Sequence, residues 1–582
     1  MKEPVAAARW HAVFAGLFVG LLLQPLSTPT LAKESLAAAR PPGNAIASAH
    51  RLATEAGQEI LAQGGNAFDA AIAVSAALSV VEPVSSGIGG GGFFLLHDAR
   101  SGKDVFVDAR EVAPHFATPA FYLDSKGELD RDKAENGAAS AGIPGLPAGL
   151  VHISKKYGRL PLAQSLAPAI RIARQGFEIY DRIARQYGER RVAMERYAST
   201  RAVYLADGDA PEVGETLQQP DLARTLERLG RGGFDGFYRG ETARAILATV
   251  AADGVNWTAE ELAAYRVKER APIRFKYRGW DIVTAPPPSS GGIVLAEALQ
   301  ILEGWNLAEL GEAQRAHLMI EALRRAYRDR TFQLGDPDFH AVPVRLLSSD
   351  DYAAGLRAGI LPDKATPSAM LPGQPAPKDS VNTTHFSIID AEGNYVAATQ
   401  TVNLSFGSGL VVAGAGFLLN DEMDDFALRP GTPNAYGVMG FDANAVAPGK
   451  RMLSSMSPSF KIGEDRVAVL GAKGGSRIIT AVLQGMLALE AGMDSSRIVA
   501  LPRLHHQYLP DRVFLEANAL SPGAQAALRG MGHELSEWNG PVVLMQSVDW
   551  DRRNGELHGA SDPRNPVGAA IVAPARKAAA KR

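Results

Sequence analysis

The tetrapeptide Asn382-Thr383-Thr384-His385 follows a segment punctuated by Pro362, Pro367, Pro372, Pro375 and Pro377, and it opens an alternating stretch from Thr384 to Asp390. A threonine hydroxyl is a weak nucleophile at neutral pH, because removing its proton is costly. A chain cut before Thr383 would give that residue a free α-amine, whose reference pKa of about 8 lets it accept the hydroxyl proton. One residue would then supply both nucleophile and base. Taken alone, Thr-Thr is equally an ordinary strand opener. Other groups could serve such a nucleophile. In Gly474-Gly475-Ser476-Arg477, paired glycines let backbone N–H groups face a site without side-chain obstruction, as an oxyanion hole requires. The adjacent hydroxyls of Ser454 and Ser455 can bind a carboxylate, and Arg110 can grip one bidentately. Glu422, Asp424 and Asp425 form an acidic cluster suited to an ammonium group. Each has a plainer reading too: glycine pairs make turns, serines cap helices, and acidic clusters sit in solvent.

The elements that must carry these residues follow from periodicity. Residues 42–80 read as helix, with Leu52, Ala53, Ala56 and Ile60 at helical spacing, a stop at Gly64-Gly65-Asn66, and a buried Ala/Val-rich restart from Ala67 to Val81. The glycines at 89–92 lead into Phe93–Leu96, a buried strand. Helix dominates from about Leu150 to Ala248 and from Ile293 to Leu334. Arg324, Arg325, Arg328 and Arg330, with Glu321 and Asp329, read as a solvated helical face. Thr384–Asp390 and Tyr395–Asn403, joined by Ala391-Glu392-Gly393-Asn394, read as a hairpin, and Val467–Gly471 as a further strand.

The 582 residues include no cysteine, which excludes disulfides, thiolate metal sites and a cysteine nucleophile. Hydrophobic residues make up 46% and charged residues 21%, enough for a large core, and the net charge of −3 offers no footprint for nucleic acid. Lys2 and Arg9, the apolar run Val13–Leu23 and the small-x-small site Thr30-Leu31-Ala32 read as an export signal over 1–32, too short for a comfortable membrane span. The expected location is therefore periplasmic or secreted. His385, His505 and His506 do not form a metal motif: adjacent histidines do not face one ion in ordinary geometry, and no carboxylate–His spacing accompanies them.

Together these stretches strongly resemble the γ-glutamyltransferase (γ-glutamyltranspeptidase) family, from about Gly43 to Gly568. The resemblance rests on Gly64-Gly65-Asn66-Ala67, Pro286-Pro287-Pro288-Ser289-Ser290-Gly291-Gly292, Gly335-Asp336-Pro337 and Thr383-Thr384-His385. It rests equally on Met423-Asp424-Asp425-Phe426, Leu453-Ser454-Ser455-Met456-Ser457-Pro458 and Gly474-Gly475-Ser476-Arg477. It implies an α/β (α+β) four-layer αββα sandwich of the N-terminal-nucleophile hydrolase type, without cofactor. It implies self-cleavage at Asn382–Thr383 into a large subunit, 33–382, and a small one, 383–582, that stay together. Thr383 would attack the γ-carbonyl of a γ-glutamyl compound such as glutathione and pass the acyl group to water, an amino acid or a peptide. By motif position, Thr401 would support Thr383, and the Gly474 and Gly475 amides would hold the oxyanion. Arg110, Ser454 and Ser455 would hold the substrate α-carboxylate, and Asn403, Glu422 and Asp425 its α-amine. Pro430–Gly437 resembles a lid loop with Tyr436 as its closing aromatic.

Many members carry proline before the glycine pair; here Lys473 stands there, either adding to oxyanion stabilisation or extending its stem into solvent. Two other readings compete. One is an acylase acting on glutaryl or other acyl groups of β-lactams, or an enzyme of poly-γ-glutamate, neither of which needs a site for an α-amine. The other is a binding protein without catalysis, which would have lost the nucleophile or the glycine loop.

Overall fold

A computed structural model describes residues 40–205, 208–371, 382–541 and 543–575. The expected export segment, 1–32, and the stretch 372–381 before the expected cut lie outside the described residues. Helix α1 spans Arg51–Ala62 and α2 Ala67–Val81. Asn66 caps α2: its side chain accepts from the Phe68 and Asp69 amides while the Asp69 carboxylate accepts from the Asn66 amide. This satisfies donors that a first helical turn leaves unpaired. Every residue of α2 is buried, in keeping with its Ala/Val sequence. The stretch just before α1 departs from expectation. Gly43–Ser48 forms a strand, β1, not a helix start. Strands are hydrogen-bonded to it on both sides, so pairing overrides the helical propensity of its alanines.

The strands of the two large sheets are numbered in chain order. β2 is Gly91–Asp98, β3 Lys103–Ala109, β4 Lys268–Arg270, β5 Ile273–Tyr277 and β6 Trp280–Thr284. β7 is Thr384–Ile389, β8 Tyr395–Thr401, β9 Ser459–Ile462, β10 Arg466–Lys473, β11 Leu544–Asp551, β12 Glu556–Ser561 and β13 Ala569–Pro574. The first sheet has the order β13-β1-β7-β8-β2-β3-β4 and the second β12-β11-β10-β9-β6-β5. Alternation along each strand divides the cores. Ile46, Phe94, Leu96, Phe386 and Ile388 face one core with α1, α2 and α3 (Leu162–Gln175). Their neighbours Ala45, Ala47, Phe93, Leu95 and Ile389 face a second core, shared with the other sheet and with α4 (Gly291–Leu302), α5 (Glu312–Gln333) and α6 (Arg477–Glu490). The layers run helix, sheet, sheet, helix. β7 and β8 lie inside the first sheet and β10 inside the second, and the two sheets pack against each other through these strands.

The arginines of α5 do not form a solvated face. Arg324, Arg325 and Arg330 are buried with Glu321 and Asp329; Arg328 is half-exposed. The reason is visible in the sequence around them. Ala316, Leu318, Met319, Ile320, Ala322, Leu323, Ala326 and Tyr327 cover every side of the helix, leaving no face to solvent. All of these charges but Arg330 are therefore paired or hydrogen-bonded to other charged or polar groups: Glu321 takes Arg325 at 2.6 Å and Arg324 at 3.2 Å, Arg328 takes Asp329 at 2.7 Å, and Asp329 accepts from the Tyr352 hydroxyl at 2.7 Å.

Candidate active site

The β7–β8 register sets Gln400 opposite Thr384, so one step further Thr383 meets Thr401. Their Oγ atoms lie 3.5 Å apart, and the Thr401 Oγ also accepts from the Asn403 amide at 2.8 Å. The bond before Thr383 is held from both sides: the Asn382 Nδ2 donates to the Ser405 Oγ at 2.6 Å and its Oδ1 accepts from the Gln186 Nε2 at 3.0 Å. In this uncut chain Thr383 has φ of +150°. A β-branched residue there is strained, at a cost of roughly 1–3 kcal/mol. Cutting the Asn382–Thr383 bond abolishes that torsion.

On the facing sheet, β10 ends at Lys473 and the chain turns through Gly474 (φ +142°) and Gly475 (φ +60°) into α6. Gly475 lies in the wall of a cavity that Thr383 also lines. A Cβ on Gly475 would sit 2.4 Å from the Tyr436 ring. Gly475→Ala therefore both strains the loop and pushes the aromatic away. The expected result is a fall of about 100-fold in turnover with a normal circular dichroism spectrum, and unchanged turnover would remove this loop from the chemistry. Lys473 does not extend into solvent. It is buried, with its Nζ 3.7 Å from Glu82, which also pairs with Arg182. A buried ammonium requires such a partner, and Glu82 at the end of α2 supplies it.

The same cavity is lined by Arg110, Thr401, Asn403, Glu422, Asp425, Tyr436, Ser454 and Ser455. Of the residues singled out in the sequence, Gly474, Asn382 and Asp424 do not line it. Arg330, Asn434, Val438, Met456, Ser476 and Ile478 also line it, and the sequence reading assigned them no role. For Arg330 the signal was the apolar surround of α5, which buries most of the charges between Ala316 and Thr331.

Arg110 is fully buried and heavily engaged: Nη1 contacts Glu422 at 2.6 Å and Glu111 at 3.3 Å, Nη2 contacts Asp425 at 2.6 Å, and Nε donates to the Met452 carbonyl. One cation thus faces three carboxyls. Burial, with repulsion from Glu111, Asp425 and Asp421, pushes Glu422 well above the usual carboxylate range, and burial raises Asp425 against the pull of Arg110. It pushes Glu111 up to about 7. The loop 430–437 closes over this cluster. The Ala435 amide donates to Asp424, the Asn434 Nδ2 to Asp425 at 3.1 Å, and the Tyr436 hydroxyl to the Asn403 carbonyl at 2.8 Å. With Tyr436 seated, the cavity volume is about 30 Å³, room for a water or two.

The Ser454–Ser455 loop is positioned by the Pro286–Gly292 tract. The Ser454 amide donates to the Pro288 carbonyl, the Ser290 amide and Oγ both donate to the Ser454 carbonyl, and the Ser289 Oγ donates to the Met456 carbonyl. Gly291 permits this approach, since a Cβ there would sit 2.0 Å from the Ser457 Oγ. His385 packs between the sheets against Gly471, bonded to Thr399 and Ser387, and burial lowers its pKa to about 3. It is a neutral spacer. His317, Glu321 and His533 bring possible ligand atoms within 4.8 Å of one another, but the Glu321 oxygens already accept from Arg324, Arg325 and the Thr366 amide.

A four-layer sandwich with a threonine entering a central strand, facing a glycine pair at the end of a strand in the second sheet, defines the N-terminal-nucleophile class of amidohydrolases and acyltransferases. The chain belongs to the gamma-glutamyltranspeptidase family, whose model matches residues 53–572. It is 41% identical over 531 residues to the glutathione hydrolase proenzyme of Escherichia coli (strain K12), covering 89% of this chain and 90% of that one. Among solved structures it resembles the gamma-glutamyltranspeptidase of Helicobacter pylori (40% identity, TM-score 0.54, 56% of this chain and 93% of that one). It also resembles the cephalosporin acylase of Bacillus halodurans (29% identity, TM-score 0.80, 95% of this chain and 99% of that one).

Proposed function

We propose that the protein is an exported γ-glutamyltransferase and glutathione hydrolase, matured by self-cleavage at Asn382–Thr383 into two associated subunits. In maturation the Thr383 Oγ attacks the Asn382 carbonyl carbon, the C–N bond breaks as the ester forms, and the nitrogen takes the hydroxyl proton. Water then hydrolyses the ester to an Asn382 carboxylate and a free Thr383. In turnover the Thr383 amine accepts the Oγ proton as Oγ attacks the substrate γ-carbonyl. The Gly474 and Gly475 amides receive the oxyanion. The leaving amine departs with the proton held by the Thr383 amine, and water or an amino acid takes the acyl group in the mirror-image step. Thr401 holds the Thr383 hydroxyl in place. The observation that carries this reading is the convergence of the Thr383 and Thr401 hydroxyls with Arg110, Glu422, Asp425 and Ser454 on one cavity.

Substrate recognition follows from the Arg110 cluster, one cation facing three carboxyls. A γ-glutamyl head is a zwitterion. Its ammonium replaces part of the Arg110 guanidinium between Glu422 and Asp425, beside Asn403, and its carboxylate meets the freed guanidinium and the Ser454–Ser455 hydroxyls. A glutaryl group brings no ammonium and leaves the acids unmatched, which favours a glutamyl donor over an acylase substrate. Release of p-nitroaniline from γ-glutamyl-p-nitroanilide, compared with glutaryl-p-nitroanilide, tests this: γ-glutamyl turnover faster by about 100-fold or more is expected, and equal rates would favour the acylase reading.

The pH dependence has a defined sign. Carboxyls with raised pKa are neutral below it and cannot balance an ammonium, so kcat/KM for the γ-glutamyl substrate should fall as pH drops through neutrality. Protonation of the Thr383 amine adds its own acid limb for every substrate. The γ-glutamyl profile is therefore expected to be steeper on its acid side than the glutaryl profile. Parallel limbs would mean that the cluster does not read the ammonium.

A further inference from the structure

The cavity contains a second arginine, and it is arranged unlike the first. Arg330 comes from α5 and is buried, yet among the described residues it forms no ion pair. Its Nε donates to the Ser290 Oγ at 3.1 Å and one Nη to the Ser455 Oγ at 3.3 Å; among the described residues nothing accepts from the other Nη. Burying a guanidinium without a counter-ion is expensive. Desolvation here pulls the Arg330 pKa down, opposed by the more distant Tyr327 and Asp425. The protein bears this cost at a position that opens onto the substrate cavity.

The hydrogen-bond directions around Arg330 are equally one-sided. The Ser455 Oγ accepts from Arg330, and the Ser454 Oγ accepts from the Met456 amide at 3.1 Å. A hydroxyl that accepts from a fixed donor has its own proton free for a second partner. The Ser290 Oγ, which also accepts from Arg330, spends its proton on the Ser454 carbonyl at 2.8 Å, locking the serine loop to the arginine. The wall made by Arg330, Ser454 and Ser455 therefore offers donors and a positive charge. The Arg110 cluster, in which Glu422 and Asp425 line the cavity and Glu111 stands beside them, carries an excess of acid.

We propose that Arg330 is a specificity-determining residue that binds the α-carboxylate of the donor substrate directly, sharing it with Ser454 and Ser455 and supplying the counter-charge that Arg110, committed to three carboxyls, does not fully provide. This rests on the γ-glutamyl reading given above. The zwitterion then lies across the cavity with its ammonium in the acid-rich wall and its carboxylate on Arg330. The Pro286–Gly292 tract acquires a purpose in the same geometry, since it holds both Ser290 and the serine loop at the distance that Arg330 requires.

The test compares wild type, Arg330→Gln and Arg330→Lys on γ-glutamyl-p-nitroanilide and on 4-aminobutyryl-p-nitroanilide, which keeps the amine and lacks the α-carboxylate. Competition by L-glutamate and by 4-aminobutyrate supplies the same comparison as binding. Subunit formation on a denaturing gel shows that each variant has folded and matured. Arg330→Gln is expected to lose about 100-fold in kcat/KM on the γ-glutamyl substrate, mainly through KM, and to weaken L-glutamate inhibition in parallel. Rates on the 4-aminobutyryl substrate, and inhibition by 4-aminobutyrate, should stay within a factor of about three. Arg330→Lys should recover part of the discrimination, because it keeps the charge and loses the fork. An equal loss for both compounds, or L-glutamate inhibition that does not change, overturns the proposal and leaves Arg330 a structural residue. If neither variant matures, the Lys and Gln side chains both fail to replace a structural guanidinium, and the proposal is likewise rejected. A wild-type enzyme that does not turn over γ-glutamyl-p-nitroanilide refutes the γ-glutamyl reading itself, a result separate from any behaviour of the variants.

Discussion

Thr383→Ala is expected to remain a single chain and to lose at least about 10⁴-fold in γ-glutamyl transfer. The hydroxyl that would attack the Asn382 carbonyl is absent, so the strained uncut backbone persists and no free amine forms. The variant should nevertheless fold, because Thr383 precedes β7 and contributes one 3.5 Å contact, to Thr401, while the β7–β8 ladder is independent of it. A denaturing gel and a transfer assay on the same preparation check both halves. Cleavage at the same bond in the alanine variant would mean that another group attacks. Thr383→Ser keeps a hydroxyl and should process, more slowly, because it relieves part of the strain of a β-branched residue at φ of +150° and loses the β-methyl that fixes the rotamer.

Arg110→Gln should damage stability and recognition together. It removes the single cation contacted by Glu111, Glu422 and Asp425 and leaves three buried carboxyls facing one another. Breaking a buried pair from one side costs about 3–5 kcal/mol, and proton uptake by these carboxyls should hold the loss near the lower end. The direction with pH follows from linkage. A carboxyl whose folded pKa lies above its unfolded value binds more protons in the folded state, so stability falls as pH rises from the ordinary carboxylate range towards the raised values. The deficit of Arg110→Gln against wild type should therefore be small near pH 5 and largest near pH 8, as read from urea midpoints. In the assay, kcat/KM for γ-glutamyl-p-nitroanilide should fall by about 100- to 1000-fold. A variant of wild-type stability at pH 8 would show that the acids do not depend on Arg110.

The sequence carried the parts of the site that lie in short, chemically explicit stretches. Thr383 at a strand start and the glycine pair after an apolar run are local patterns whose consequences are also local, and they form as read. The hairpin turn at Ala391–Asn394 and the restart of helix at Ala67 were legible for the same reason, since turn and cap chemistry sit in the residues themselves. What sequence does not carry is which charges end up buried together. Arg110 reads as a free carboxylate grip, and only the fold reveals three acids already on it. Arg330 sits among charges that suggest solvent, and only the packing of α5 on every side turns it inward. β1 was misread because its alanines are helix formers and its strand partners, β7 and β13, lie more than three hundred residues away. Lys473 reads as a flexible stem, and its partner Glu82 is equally remote.

The account rests on Thr383 acting as an N-terminal nucleophile, and intact-mass spectrometry of the purified enzyme tests that most directly. The small subunit should begin at Thr383. After brief mixing with γ-glutamyl-p-nitroanilide and acid quench, it should gain the mass of one γ-glutamyl group, localised by fragmentation to its first residue. An uncut chain, a small subunit beginning elsewhere, or an acyl group carried on any other side chain would contradict the mechanism.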